Sequence, residues 1–186
     1  MCNDDISGGL HEGAEGFLVR PSRHVLLIGE IDEWWSRRAQ YALYALAADS
    51  VRKAPITIVI NSDGGGVYEA HGVCDTIRTL RDQGYTIHGR VHGHAMSAAV
   101  LVLQACTTRT ITQYGLLMVH GAVSARKGDA REMEAERDAS TKTIEIQARI
   151  MEERTGGDWH ELLRDQLPHY YTAREALEMG LVDAIE

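Results

Sequence analysis

The sequence predicts an α/β domain, and three observations carry that expectation. Segments of strand length alternate with segments whose apolar residues recur at three and four, the pattern of strand–helix units with right-handed crossovers. ITIVIN at 56–61 is β-branched nearly throughout, as in a parallel strand buried on both faces. A chain of 186 residues with 44% in the apolar set can fill one core and is too short for two ordinary domains.

Residues 1–22, Gly-rich and acidic, read as a flexible N-terminal arm, and 23–186 as a single domain. HVLLIGEID gives a buried strand ended by Gly29. A helix follows from about Glu33, with Trp35, Ala39, Ala42, Leu43 and Leu46 on its apolar face. Pro55 stops it before the ITIVIN strand. A second helix, about 66–83, faces inward through Val67, Ala70, Val73, Cys74, Ile77 and Leu80, and Gly84 closes it. YTIHGRVHG is a third strand, AMSAAVLVLQAC a short buried helix, TTRTITQYG a fourth strand or strand pair, and LLMVHGA a fifth. From about Asp129 to Arg154 runs a long, charged helix with sparse apolar residues. It reads either as a solvated face or as an arm packing on a neighbouring subunit. Two short helices close the chain, the second with Thr172 as N-cap and Glu175 at the capping-box position.

Lys and Arg number 19 against 27 Asp and Glu, a net charge of −8. Phosphate-driven nucleic-acid binding needs a basic surface, and anionic membrane is disfavoured for the same reason. The longest nearly uncharged stretch, Ala95 to Cys106, falls short of the roughly 20 residues a spanning helix needs. The N-terminus lacks the basic start and apolar run of a secretory signal, so a cytoplasmic location is expected. Cys2, Cys74 and Cys106 have neither the count nor the spacing of a disulfide framework or zinc cluster, and Cys74 and Cys106 read as core residues. His92 and His94 would share one side of a strand that ran on, but Gly93 and a helix-like continuation argue against it. No metal is expected.

Three places are suited to chemistry. Ser97, in GHAMSAAVLVL, stands at a strand-to-helix bend, where the first helix amides and the helix dipole favour developing negative charge. Serine is also a common N-cap, which is the plainer reading, and the pattern is not the GxSxG elbow. Asn61–Val67, NSDGGGV, ends a strand in three glycines whose backbone can approach a phosphate, a peptide or a carbonyl oxygen. It lacks the Lys-Ser/Thr of a nucleotide-binding loop. His120, in LLMVHGA, leaves a buried strand where a histidine can reach a serine on a neighbouring strand.

Taken together, ITIVINSDGGGVYEAHGVCDTIR, GHAMSAAVLVLQA, LLMVHGA and TAREALEMGLVDAI resemble the proteolytic subunit of the ATP-dependent Clp protease, over roughly Val25–Ile185. The resemblance implies a crotonase-like ββα superhelix with a protruding long helix. It implies peptide-bond hydrolysis by a Ser-His-Asp triad with Ser97 as nucleophile and His120 as general base. It further implies oxyanion donors at the Gly65 and Ala98 amides, and a strip at Gly64, Gly66 and Val67 that pairs with extended substrate. No cofactor is implied. The implied partners are peptides or unfolded proteins, further copies in heptameric rings with the option of a stacked tetradecamer, and an AAA+ ATPase unfoldase.

Departures from the family pattern keep other readings open. Pro168 holds the place of the triad acid, and Asp165, three residues earlier, is the nearest substitute. Asp63 and Gly66 stand where proline and serine are common. The family's N-terminal pore segment is not recognisable in 1–22. A catalytically impaired structural or regulatory subunit, and a phage-type head-maturation protease, are the alternative functions. An acyl-CoA hydratase or isomerase on the same fold is disfavoured by length and by the joint presence of Ser97 and His120.

Overall fold

The computed structural model describes residues 18–19, 23–48, 53–123 and 128–186. Of the expected N-terminal arm only Leu18–Val19 falls among them, as strand β1, antiparallel to β2 (His24–Ile31). The remainder of 1–22 lies outside the described residues. The chain continues through α1 (Glu33–Ala48), β3 (Ile56–Gly65), α2 (Val67–Asp82), β4 (Ile87–Met96), α3 (Ala98–Ala105), β5 (Thr108–Ile111) and β6 (Leu116–Val119). It ends with α4 (Ala130–Thr155), α5 (His160–Arg164), β7 (His169–Thr172), α6 (Ala173–Glu178) and β8 (Ala184–Ile185).

The strands form one mixed, mainly parallel sheet in the order β1-β2-β3-β4-β5-β8. Its centre forks: the first half of β4 pairs with β5 through His88–Val91, and the second half pairs with β6 through His94–Met96. β7 then adds antiparallel to β6.

Side-chain alternation in β3 separates two faces. Ile56, Ile58 and Ile60 are buried in the core with the apolar faces of α1, α2 and α3, whereas Thr57, Val59 and Asn61 are only half-buried. The run is thus fully covered on one face, not on both as the composition suggested. α3 is buried along its whole length, which its uncharged sequence permits.

Three local expectations are corrected. Gly29 does not end its strand; at φ +87 it sits in a bulge where β3 gains one residue on β2, and pairing resumes at Glu30–Gly64. The sequence AM belongs to β4 rather than to the helix, because a second bulge at 92–94, with Gly93 at φ +97, lets the strand run on to Met96. HYYT, placed in no element by its sequence, is β7. The terminal capping box forms as expected, with Thr172 accepting from the Glu175 amide and Glu175 accepting from that of Thr172. α4 is opened by a second such box at Asp129–Glu132 and ended by Gly156 in the left-handed region. Its first half is largely exposed, and its fully buried residues begin at Thr143.

Among the described residues no helix is long and apolar enough to cross a membrane. Cys74 and Cys106 are both buried; burial raises both thiol pKa values, that of Cys106 to about 12.

Candidate active site

The forked sheet brings two strand exits side by side. Met96 at the end of β4 is in register with Met118 of β6, and the Ser97 amide donates to the Met118 carbonyl at 2.7 Å. The next residue of each strand end is then poised to meet the other, and Ser97 Oγ lies 2.8 Å from His120 Nε2. Serine and histidine are 23 residues apart in sequence, so it is strand pairing that joins them.

Ser97 occupies φ 54, ψ −124, a strained conformation for a residue with a Cβ. It stands at the N-cap position of α3, yet its hydroxyl makes no capping bond and goes to His120 instead. A common N-cap serine would accept from an amide of the first helical turn, so this plainer reading of Ser97 does not hold here. Ala98 is the first residue of α3, where amides have no acceptor within the helix.

The glycine strip packs directly on this elbow. A Cβ at Gly64, which has φ +91, would come 2.5 Å from the Met96 carbonyl oxygen, 2.8 Å from Ser97 Cβ and 3.0 Å from the Ala98 nitrogen. Only glycine permits that approach. The strip's amides are unequally engaged: Gly64 N–H donates to Ser62 Oγ at 3.1 Å, and Gly66 N–H to the Ile31 carbonyl at 2.7 Å. Gly65, between them, is at φ +143 beside Ile31. Val67 opens α2 and is half-buried against the core.

Ser62 was not singled out from the sequence. Its buried hydroxyl donates to the Gly29 carbonyl at 2.5 Å while accepting from Gly64, and so fixes the entry to the strip. The signal was present in the period: Ser62 continues Ile56, Ile58 and Ile60 on the inward face of β3. At the rim, Asp63 pairs with His94 at 3.0 Å, and His92 is exposed.

His120 is half-buried. Burial holds its pKa below the ordinary histidine value, opposed by a backbone hydrogen bond to Gly121. Asp165 does not meet it. That carboxylate faces His169, at 3.1 and 3.3 Å from Nε2, and also accepts from the Leu167 amide at 2.8 Å. The expected Asp165–His120 hydrogen bond is absent because Asp165 follows α5 in an exposed turn that its own oxygen closes. Pro168, in the same turn, is exposed, and its side chain has no group to orient an imidazole.

The turn after His120 is well braced. The Ala122 amide donates to Gln147 of α4 at 2.9 Å, the Ala122 carbonyl accepts from Ser140 and Gln166, and Gly121 lies against the Leu163 backbone of α5.

A protein-family model described as Clp protease matches residues 17–186. A relative named ATP-dependent Clp protease proteolytic subunit 1, from Prochlorococcus marinus (strain MIT 9312), is 28% identical over 183 residues, covering 96% of this chain and 92% of its own. A solved ClpP1 mutant from Listeria monocytogenes superposes with a TM-score of 0.78 at 26% identity, over 89% of this chain and 91% of that one. With a strand-end serine on a strand-end histidine, and a match over nearly its whole length, the chain belongs to the Clp protease family.

Proposed function

We propose that this chain is a serine endopeptidase in which Ser97 and His120 work as a dyad, with no carboxylate among the described residues bonded to the far side of the imidazole. The observation that carries the reading is the 2.8 Å contact between Ser97 Oγ and His120 Nε2, made by a hydroxyl that forgoes helix capping. Burial favours the neutral imidazole, the form that can take the serine proton. Attack on a peptide carbonyl then places an oxyanion over the N-terminus of α3, where the Ala98 amide is the natural first donor. Gly65 is the strip's candidate for the second, since the amides on either side of it are spent. Protonated His120 returns the proton to the leaving amine, and water repeats the cycle to release the acyl group.

The Gly64–Val67 strip would align an extended substrate by main-chain pairing, which suits unfolded polypeptide of varied sequence. Asp165 is not given the triad role in this reading, because His169 holds it. By likeness to the Clp family we assign the protein to a ring of copies in the cytoplasm, heptameric and open to stacking, with the exposed first half of α4 reaching a neighbour. An AAA+ unfoldase is the partner such a ring would serve.

Hydrolysis of unfolded casein or a fluorogenic peptide tests the reading. Activity is expected in the assembled chain and should drop by about 10³-fold or more in Ser97→Ala. Turnover that survives this substitution contradicts it, and inactivity of the assembled wild type favours the structural-subunit alternative.

A further inference from the structure

α4 turns into α5 through Gly156–Trp159, and this corner gathers ligand-type side chains unrelated to Ser97. His160 opens α5, Glu152 lies in the last turn of α4, and Asp158 sits between them. One ligand atom from each lies within 4.8 Å of the other two. We propose that His160 Nε2, Glu152 and Asp158 bind one divalent transition-metal ion, of the zinc class, with the remaining position open to water.

The spacing fits. Nε2 is 3.3 Å from Glu152 Oε1, and two ligands about 2.1 Å from a tetrahedral ion lie about 3.4 Å apart. Asp158 Oδ1 accepts from the His160 backbone amide at 2.9 Å, which anchors the carboxylate and leaves Oδ2 for the ion. One imidazole nitrogen with carboxylate oxygens suits zinc better than calcium or magnesium, which take oxygen alone.

A second layer is also in place. Glu145 Oε2 lies 3.2 Å from His160 Nδ1, and Oε1 accepts from Arg164 at 2.8 Å. Nδ1 is buried and lacks an aligned hydrogen bond. With metal on Nε2 the proton must sit on Nδ1, facing Glu145, which is the carboxylate–histidine–metal arrangement of resident metal sites. Of the three carboxylates around His160, Glu145 is paired with the Arg164 guanidinium, so a divalent cation beside Glu152 and Asp158 improves the local balance. The ion would pin α5 to α4, and those two helices brace the turn after His120 through Leu163 and Gln147. Its role is therefore structural.

Titration of the full-length chain with cobalt(II) chloride, then zinc chloride, tests the site with no need for peptidase turnover. One equivalent of cobalt per chain is expected, with visible d–d absorption that zinc displaces, and a rise in melting temperature. His160→Gln and Glu152→Gln should each weaken binding about a hundredfold or more, and Glu145→Gln about tenfold. Glu152 is half-exposed, so its variant decides the matter if His160→Gln does not fold. Wild-type affinity in Glu152→Gln, or no saturable equivalent in the wild type, overturns the proposal and leaves His160 as a hydrogen-bonding neighbour of the carboxylates.

Discussion

Burial of His120 and the placement of Asp165 together set what the dyad can do. A histidine held below its ordinary pKa near 6.5 stays unprotonated, and so available as a base, to lower pH than a free one. Protonation in acid removes the base, so kcat/KM should rise with pH through an apparent pKa below about 6.5 and then level off. A pH–rate profile with its acid limb centred above 7 would contradict that environment. Asp165 supplies the sharper distinction. An orienting triad carboxylate is worth about 10⁴ in turnover, whereas a carboxylate bound to His169 lies outside the chemistry. Asp165→Asn is therefore expected to keep kcat within about threefold of wild type, and a loss of a thousandfold or more would restore the carboxylate to the triad. Ser97 and His120 could both be read in the sequence, because Ser97 heads an apolar helix after a strand and His120 leaves an apolar strand run. The partner of Asp165 could not, since it depends on Asp165 closing its own turn and on His169 lying four residues on, in a strand too short to announce itself.

At the scale of elements, the site follows from how β4 is paired. Its lower half holds β5 and its upper half β6, and the bulge at 92–94 permits the change of direction without ending the strand. Sequence periodicity located the long elements well: the predicted inward residues of α1, from Trp35 to Leu46, are all buried, as are the predicted Ala70, Val73, Cys74, Ile77 and Leu80 of α2. It failed at Gly29 and Gly93, where glycine at positive φ makes a bulge, because glycine marks both turns and bulges and the sequence alone does not separate them. The strip of β3 against the α3 elbow yields a test of this packing. Gly64→Ala places a methyl group on the Met96 carbonyl and Ser97 Cβ at a backbone φ of +91, so the elbow must shift. A displacement of about 1 Å at a nucleophile can cost about 10² in rate. We expect a loss of that order in kcat/KM together with a lower melting temperature, and wild-type values of both would show that the strip does not constrain Ser97.

For the whole molecule, size and charge acquire a meaning that composition could not give them. A chain of 186 residues is too small to enclose a chamber, so the proposed action on unfolded polypeptide goes with the proposed assembly into a ring. The half-covered outer face of β3 and the exposed first half of α4 are among the surfaces that the core leaves open. Exposed Met133 and Ile146 on α4 are apolar positions that a second copy would cover. The net charge of −8, which argues against nucleic acid, is expected to fall partly on the inner wall of such a ring. In the proposed chemistry Ser97 is made nucleophilic by His120. Its most direct test is fluorophosphonate labelling of the assembled, size-fractionated protein, with the modified residue located by mass spectrometry. A single adduct on Ser97 that is lost in His120→Ala is expected; an unlabelled assembled protein, or a Ser97 adduct that forms as fast without His120, would rule the dyad out.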